Sequence, residues 1–353
     1  MELKRVVVTG MGAITPLGNT VQDYWQGLIN GVSGADMITL FDASKFRTRF
    51  ACEIKGFEPT QYLDRKEARK IDRFTQLALV VSDQAMLDAG LSKDNINPDR
   101  VGVVFASGIG GLITFQHEVT DFARGDGTPR FNPFFIPKMI LDIAAGQISM
   151  RHNLRGPNFA VVSACASSTN AIMDAFNLIR LGKSDIILTG GSEAVISEAG
   201  VGGFNAMKAM SERNDDPKTA SRPYDKDRDG FVMGEAAGML VLEELEHAKA
   251  RGARIYCEVA GAGATADAHH ITAPHPEGLG AMNVMLVALE DAGMKAEEID
   301  YINTHGTSTP IGDGAEVKAI VKVFGDHAYT LNISATKSMT GHCLGAAGVI
   351  EAI

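Results

Sequence analysis

Three segments after residue 255 repeat, in the same order, three segments of the first half of the chain. The run IYCEVAGAGATAD matches RVVVTGMGAITPLG, IDYINTHGTST matches VGVVFASGIGG, and LNISATKSMTGHCLGAAG matches NFAVVSACASSTNA. Strand–turn–helix junctions look alike in many α/β proteins, but three ordered matches favour an internal duplication. The alternating pattern predicts two α/β halves, residues 1–252 and 253–353, with largely buried sheets. An active site is expected where the equivalent strand ends meet.

Residues 161–170, VVSACASSTN, place Cys165 between a predicted strand and a predicted helix. Val161 and Val162 predict the end of a buried strand, and the small residues from Ala166 onward predict a helix with one packed face. The unpaired N–H groups of a helix N-terminus favour negative charge, so a thiol there is expected to have a lowered pKa. Taken alone, Cys165 is better interpreted as a small buried core residue than as a nucleophile.

Two strand ends in the second half carry polar side chains. His305 lies in NTHGTSTP after one predicted strand, and Lys337 and His342 lie in SATKSMTGH after the next. Under the duplication, the second segment occupies the place that Cys165 has in the first half. Imidazoles titrate near neutrality and donate hydrogen bonds or accept protons. The sequence therefore predicts one thiol, two imidazoles and one ammonium around a shared centre.

The composition excludes several classes of function. The chain of 353 residues has a net charge of −10, which argues against general nucleic-acid binding. It contains no apolar run of about 18 residues, so no membrane span is predicted. Its four cysteines are widely spaced with no CxxC pair, which argues against a disulfide framework or a zinc site and fits a reducing cytoplasm.

The motifs VVSACASSTNA, NTHGTSTPIGD and KSMTGHCLGAAG resemble the three active-site motifs of the β-ketoacyl-[acyl-carrier-protein] synthases. The best match is the synthase II branch of bacterial type II fatty-acid synthesis, and the resemblance extends over essentially the whole chain. It implies an α/β fold of the thiolase-like type, a five-layered αβαβα duplication, usually as a homodimer. It also implies decarboxylative condensation of malonyl-acyl-carrier-protein with an acyl group held on a cysteine, without metal or cofactor.

The resemblance also implies roles for individual residues. Cys165 resembles the acyl-accepting nucleophile, His305 and His342 the pair that activates malonyl decarboxylation, and Lys337 the lysine that supports them. The substrate-binding positions are Thr307 and Thr309 in the pantetheine channel, Ile109, Phe135 and Phe204 in the acyl pocket, and His270. The basic positions expected to bind the acidic carrier protein are Lys66, Arg69, Lys70, Arg124, Arg130 and Arg213.

The resemblance ends where the family normally continues into further strands and a GFGG loop. The last residues, GVIEAI, form an apolar helix without a C-cap glycine, so we expect a truncated chain whose second half is incomplete. Other hypotheses remain: a related ketosynthase, of the synthase I or polyketide type, or a non-catalytic fragment that binds the carrier protein. A thiolase is disfavoured, because Cys343 beside His342 is interpreted as a packing residue rather than a second catalytic cysteine.

Overall fold

A six-stranded mixed sheet forms the centre of the computed structural model, which describes residues 3–353. The strands in chain order are β1 (Val6–Ile14), β2 (Asp36–Met37), β3 (Phe50–Ala51), β4 (Val101–Ala106), β5 (Asn158–Val161), β6 (Ile186–Glu193), β7 (Ala236–Glu244), β8 (Cys257–Val259), β9 (Tyr301–Asn303) and β10 (Asn332–Ser334). The central order is β5-β4-β6-β7-β1-β8. Strand β4 is parallel to β5 and β6, whereas β7 is antiparallel to both β6 and β1, and β8 is antiparallel to β1.

Helices cover both faces of this sheet. They are α1 (Val21–Ile29), α2 (Arg65–Ala68), α3 (Arg73–Asp88), α4 (Leu112–Arg124), α5 (Phe135–Met139), α6 (Ile143–His152), α7 (Ser167–Arg180), α8 (Glu198–Ala206), α9 (Leu245–Ala250), α10 (Leu279–Ala292), α11 (Pro310–Phe324), α12 (Lys337–Thr340) and α13 (Ala347–Ala352). None of the helices within residues 3–353 is both long and apolar enough to cross a bilayer.

The two faces of the central sheet bury different helices. On one face, Leu77 of α3 and Ile148 of α6 pack in a core with strand residues such as Val103. On the other face, Ile179 of α7 and Val349 of α13 form a second core. Strand side chains alternate between the two sides, so buried β-branched residues supply both cores. Helices α7 and α13 therefore pack side by side on the same face of the central sheet.

The predicted duplication is confirmed in the local geometry. Strands β9 and β10 form a parallel pair, as do β4 and β5, and these are the segments that the sequence comparison aligned. A 3₁₀ turn precedes α7 at Ala164–Ala166, and another precedes α13 at Leu344–Ala346. The turns share a left-handed residue, Ala164 with φ 52° and Leu344 with φ 45°. The chain has the thiolase-type α/β fold that the motifs implied.

Three element predictions are wrong in detail. The residues from Arg65 through Leu87 predict one continuous helix, but the structure has two, α2 and α3, because Asp72 caps a new helix by accepting from the Phe74 N–H at 3.2 Å. A helix is also predicted at 139–150 after a loop at 131–137, but α6 begins only at Ile143, and the short helix α5 reaches back into the predicted loop. The strand before Cys165 is not buried: β5 is an edge strand, and Val162 is 56% exposed.

The expectation of two buried sheets holds only for the first half. The second half contributes β9 and β10 as a two-stranded sheet, and β8 joins the first sheet instead. Tyr301 and Ile333 on these strands are exposed. A pair of strands presents too little area for helices to bury both faces, which accounts for the difference.

Candidate active site

The turn that carries Cys165 is held by side chains of its own segment. Ser167 accepts a hydrogen bond from the Ser163 backbone N–H at 2.9 Å and donates to the Ala164 carbonyl at 2.6 Å. Asn170 Nδ2 donates to Ser163 Oγ at 2.7 Å. These bonds explain why small polar residues surround the cysteine, since they fix a turn with a left-handed alanine. The thiol is only partly buried, at the start of α7.

His342 lies directly against this thiol. Its Nε2 is 3.0 Å from Cys165 Sγ, although the two residues are far apart in sequence. A parallel bridge to Met233 holds the backbone, with the His342 N–H donating to the Val232 carbonyl at 2.7 Å. The edge of the Phe231 ring packs against the imidazole, with centroids 5.5 Å apart. The imidazole is therefore both buried and fixed in orientation.

His305 completes the cluster, with its ring beside both His342 and Cys165. The two imidazole centroids are 5.3 Å apart with planes at 88°. The loop that carries His305 is anchored by Glu316 of α11, whose carboxylate accepts from the His305 N–H at 2.6 Å and from the Gly306 N–H at 2.8 Å. Tyr224 donates its hydroxyl to the same carboxylate at 2.8 Å. A charged acceptor thus fixes the turn after β9.

The surroundings keep both imidazoles neutral. Burial, with the Lys337 charge as a further cause, lowers the pKa of His342 well below its usual range. The pKa of His305 is also lowered, first because protein atoms exclude water from much of the ring and second because of the Lys337 charge. Part of this residue is nevertheless exposed. A neutral imidazole carries one N–H, which is free to act as a hydrogen-bond donor.

The hydrogen-bond inventory favours one tautomer of His342. Its Nδ1 is buried and has no partner among the described residues. An unpaired buried N–H is rarer than an unpaired acceptor, so we assign the proton to Nε2. That N–H points at Cys165 Sγ. In this state the imidazole is a donor toward the reacting sulfur rather than a base that accepts its proton.

Lys337 is a buried ammonium group paired with a buried acid. Its residue is 2% exposed, and Nζ forms a short ion pair with Glu351 of α13, whose side chain is 15% exposed. Burial raises the pKa of Glu351, opposed by the Lys337 charge. The ammonium group of Lys337 thereby places a positive charge near the thiol and both imidazoles.

The expectation of a lowered thiol pKa is wrong for this state of the protein. Burial raises the pKa of Cys165, and the charges of Glu193 and Glu351 add to that effect, whereas Lys337 opposes it. The loss of water around the sulfur outweighs the favourable field of the helix N-terminus. The thiol form therefore predominates at neutral pH.

The same three side chains also form a set of metal-binding type. The ligand atoms of Cys165, His305 and His342 lie within 4.8 Å of one another. Zinc bonded to one sulfur and one nitrogen separates them by about 3.5 Å, however, and here the sulfur and Nε2 are at the shorter distance of a hydrogen bond. This spacing fits a thiol–imidazole pair better than two ligands of one ion.

The substrate-binding residues expected from the sequence fall into two groups. Thr307 is buried beside His305, and its hydroxyl is 2.9 Å from that of Thr309. Phe204 packs in the same core as Cys165 and stacks edge-on against Phe231, with centroids 5.3 Å apart. These residues therefore lie close to the cluster of Cys165, His305 and His342.

The other three expected substrate residues are not part of that core. Ile109 is exposed on the turn after β4. Phe135 belongs to a surface stack of aromatic rings, with its centroid 5.5 Å from that of Phe131. His270 lies on an exposed loop, where its Nδ1 accepts from the N–H groups of Thr272 and Ala273, and no contact with Cys165 is seen among residues 3–353.

The basic residues expected to bind a carrier protein are also divided. Lys66, Arg69 and Lys70 are exposed, and no carboxylate in the described part of the chain lies within ion-pair distance of them. Arg124 is exposed as well. The remaining two have acidic neighbours: Arg130 pairs with Asp126 at 3.1 Å, and Arg213 lies 3.5 Å from Asp229. Only the first group and Arg124 present unpaired charge.

Two site residues were missed from the sequence. Glu316 and Glu351 were not singled out, because an isolated glutamate in a helix is usually solvated. Glu316 follows His305 by 11 positions, on the first helix after the motif, and Glu351 lies on the helix after His342. A charged residue on the inward face of a helix that directly follows a catalytic motif is the signal that identifies them.

The whole chain is similar to proteins of one known family. The family model described as "Beta-ketoacyl synthase, N-terminal domain" matches residues 3–248, and "Beta-ketoacyl synthase, C-terminal domain" matches residues 256–353. A 3-oxoacyl-[acyl-carrier-protein] synthase 2 of Synechocystis is 52% identical over 100% of this chain and 85% of its own length. One of the same name from Staphylococcus aureus is 50% identical, over 99% of this chain and 84% of its own length.

Solved structures agree with the sequence comparisons. A type II polyketide synthase acyl-carrier protein in complex with its ketosynthase, bound to a hexaketide, superimposes with a TM-score of 0.90. The identity is 32%, and the alignment covers 99% of this chain and 85% of that one.

Proposed function

We propose that this chain, which belongs to the beta-ketoacyl synthase family, condenses malonyl-acyl-carrier-protein with an acyl group held on Cys165. The chain is a condensing enzyme, an acyltransferase of fatty-acid elongation. The observation that carries the assignment of residues is the 3.0 Å contact between Cys165 Sγ and His342 Nε2, beside the second imidazole of His305.

The first step transfers the acyl group to Cys165. The sulfur attacks the carbonyl of the acyl thioester on the carrier, a new C–S bond forms, and the pantetheine thiolate leaves with the proton of the Cys165 thiol. Because one thioester replaces another, little net free energy is needed. Lys337 supports the step by favouring the thiolate.

The second step uses the two imidazoles. In the malonyl thioester the C–C bond to the carboxylate breaks, CO₂ leaves, and the electron pair forms an enolate whose oxygen needs hydrogen-bond donors. Neutral imidazoles at His305 and His342 supply N–H groups for that oxygen. The enolate carbon attacks the acyl carbonyl on Cys165, the C–S bond breaks, and the released thiolate takes up one proton from solvent.

The decisive experiment measures intact protein mass after mixing with an acyl-carrier-protein thioester. We expect a mass gain of one acyl group in the wild type and none in Cys165→Ala. Cys343→Ala, at the adjacent buried thiol, is the matched control and should still gain the acyl mass. A folded wild-type protein that gains no mass would refute the proposal and favour a non-catalytic carrier-binding protein.

A polyketide ketosynthase is the alternative within the family. The two relatives named 3-oxoacyl-[acyl-carrier-protein] synthase 2 are 52% and 50% identical to this chain, compared with 32% for the polyketide ketosynthase complex. The higher identities favour fatty-acid elongation. Assays with acyl and malonyl carriers separate the two: a single round of extension per acyl group supports fatty-acid elongation, and repeated extension without intervening reduction supports the polyketide type.

We further propose that an acyl carrier protein docks at the unpaired basic surface of Lys66, Arg69 and Lys70. These charges stand out on a protein of net charge −10, so they attract an acidic partner locally. Charge reversal of all three should raise the KM for carrier-borne substrate and leave the reaction of a small pantetheine thioester unchanged. Lys295→Glu, exposed at the opposite end of β9 from His305, is the control.

A homodimer is proposed because β5 leaves one sheet edge unpaired. Edge strands with exposed apolar side chains associate with other strands, and Phe159 on β5 is exposed. Sedimentation should give a dimer mass that falls to that of one chain in Phe159→Asp. Leu87→Asp, an exposed apolar position on α3, should remain dimeric. A wild-type protein that sediments as a single chain contradicts the proposal.

We also propose that the protein works in the cytoplasm, as two halves, residues 1–252 and 253–353. All four cysteines are free thiols, which a reducing compartment maintains. Fractionation of cells that express the protein tests the location.

Limited proteolysis tests the division into residues 1–252 and 253–353. We expect cleavage to be confined to the junction near residue 253.

A further inference from the structure

A buried carboxylate without a cation lies behind the cysteine. Glu193, the last residue of β6, is fully buried. One oxygen accepts from Ser107 Oγ at 3.0 Å and from the Ile109 N–H at 3.2 Å. The other accepts from the Gly108 N–H at 2.7 Å and the Gly345 N–H at 3.0 Å. Four donors thus converge on one side chain.

The surroundings of Glu193 are unusual for a buried acid. Within residues 3–353, no Lys, Arg or His lies at ion-pair distance from it. Glu243, equally buried at the other end of the β6–β7 strand pair, is held by Arg251 at 2.7 Å and by His247 at 2.6 Å. A buried charge that relies on neutral donors alone is costly to keep. Burial accordingly raises the pKa of Glu193, while its four donors oppose that rise.

The donors belong to two turns that meet beside the nucleophile. Residues 107–110 follow β4 and carry Ile109, and Gly345 lies in the turn after His342. A Cβ on Gly345 would lie 2.2 Å from Gly108 N, and one on Gly108 would lie 2.6 Å from the Glu193 carboxylate and 3.5 Å from the Ala164 carbonyl. The backbones are therefore in direct contact, and glycine is required at both positions.

We infer that Glu193 is a positioning residue for the condensation: its carboxylate ties the turn at Ser107–Ile109 to the turn after His342 and holds both against the Cys165 turn. The effect on the reaction rests on the proposed function, because the two turns that Glu193 joins are the ones that would face the acyl thioester on Cys165. A displacement of about 1 Å at a reacting centre costs roughly 10²-fold in rate.

The chemistry of the clamp requires a carboxylate rather than an amide. Both oxygens of Glu193 accept from backbone N–H groups: Oε1 from Ile109, and Oε2 from Gly108 and Gly345. In Glu193→Gln the NH₂ group must face either the Ile109 N–H or the N–H groups of Gly108 and Gly345. Donors then oppose donors, so one turn separates from the strand end even though the side chain keeps its shape.

The first test is alkylation of Cys165 by iodoacetamide as a function of pH, which needs no substrate. The charges that act on this thiol are Lys337 from α12, Glu351 from α13 and Glu193 from β6, with the neutral rings of His342 and His305 also facing it. Glu193→Gln removes a charge that disfavours the thiolate. The midpoint of alkylation should move to lower pH by about half a unit or more.

The control for that test is Glu243→Gln, which also removes a buried acid but at the far end of the sheet. It should lose stability without moving the alkylation midpoint. An unchanged midpoint in folded Glu193→Gln overturns the inference. If that variant does not fold, Ser107→Ala removes one donor and keeps the carboxylate; it should alter the alkylation rate constant at least twofold, and no change would likewise overturn the inference.

The second test follows acyl transfer to Cys165 from carriers with short and long acyl groups. Glu193→Gln should lower the rate at least tenfold for the long group and less for the short one, with Glu243→Gln within twofold of the wild type. If the wild type is acylated and Glu193→Gln is acylated at the same rate, the inference is refuted but the proposed function is not. Failure of wild-type acylation refutes the proposed function, and the alkylation profile then still decides the position of Glu193.

Discussion

The buried pair of Lys337 and Glu351 gives the sharpest prediction about stability. Each single substitution, Lys337→Met or Glu351→Gln, leaves one charge without its partner in a place where Lys337 is 2% and Glu351 15% exposed. Breaking such a pair costs about 3–5 kcal/mol, most of it the penalty of the remaining buried charge. Combining the two changes, Lys337→Met with Glu351→Gln, removes both charges and should cost less than either single change.

The cost of Lys337→Met should depend on pH through the carboxyl group of Glu351. Burial already raises the pKa of Glu351, and Lys337→Met removes the charge that opposes this. When the pKa of a carboxyl is higher in the folded state than in the unfolded state, the unfolded state binds fewer protons. The free energy of unfolding then falls as pH rises. The cost of Lys337→Met is therefore largest at about pH 8 and smaller at about pH 5.

Urea unfolding of the wild type, both single variants and the double variant measures these costs at each pH. The expected result is a strong coupling between the two sites, with the double variant far more stable than the sum of the single costs allows. Additive costs, or a cost of Lys337→Met that is no smaller at about pH 5 than at about pH 8, would refute the reasoning that burial of an unpaired charge dominates.

Three further predictions concern the reacting centre and its support. His342→Ala removes one of two N–H donors and should slow malonyl decarboxylation by about 10²–10³-fold, or about 2.7–4 kcal/mol, while acyl transfer to Cys165 continues; equal losses in both half-reactions contradict the donor role. Because burial raises the pKa of Cys165, its alkylation rate should still be rising at about pH 9, and a plateau near neutrality argues against this environment. Tyr24→Phe leaves the buried Ile350 carbonyl without its 3.0 Å donor and should lower the unfolding free energy by about 1–3 kcal/mol; an unchanged urea midpoint shows that α13 does not depend on this bond.

Much of the fold was predictable because it depends on local pattern. The β-branched run of β4 and the small residues after Cys165 predicted a strand and a helix, and both are present. The ordered repeat predicted the equivalence of the turns before α7 and α13, since each half must solve the same local packing problem. The break between α2 and α3 was missed, because it depends on Asp72, which caps α3 while its carboxylate also accepts from Thr114 at 2.5 Å.

The sequence by itself determined which chemical groups the site contains and, through the repeat, that they would meet. One thiol, two imidazoles and one ammonium lie on glycine-rich turns whose local conformation short-range hydrogen bonds dictate. Only the tertiary structure decided how those groups are charged. The raised pKa of Cys165, the neutral imidazoles and the pairing of Lys337 with Glu351 all follow from burial and from distances between segments far apart in the chain. Protonation responds to every charge and to the water excluded around a group, and no local pattern contains that information.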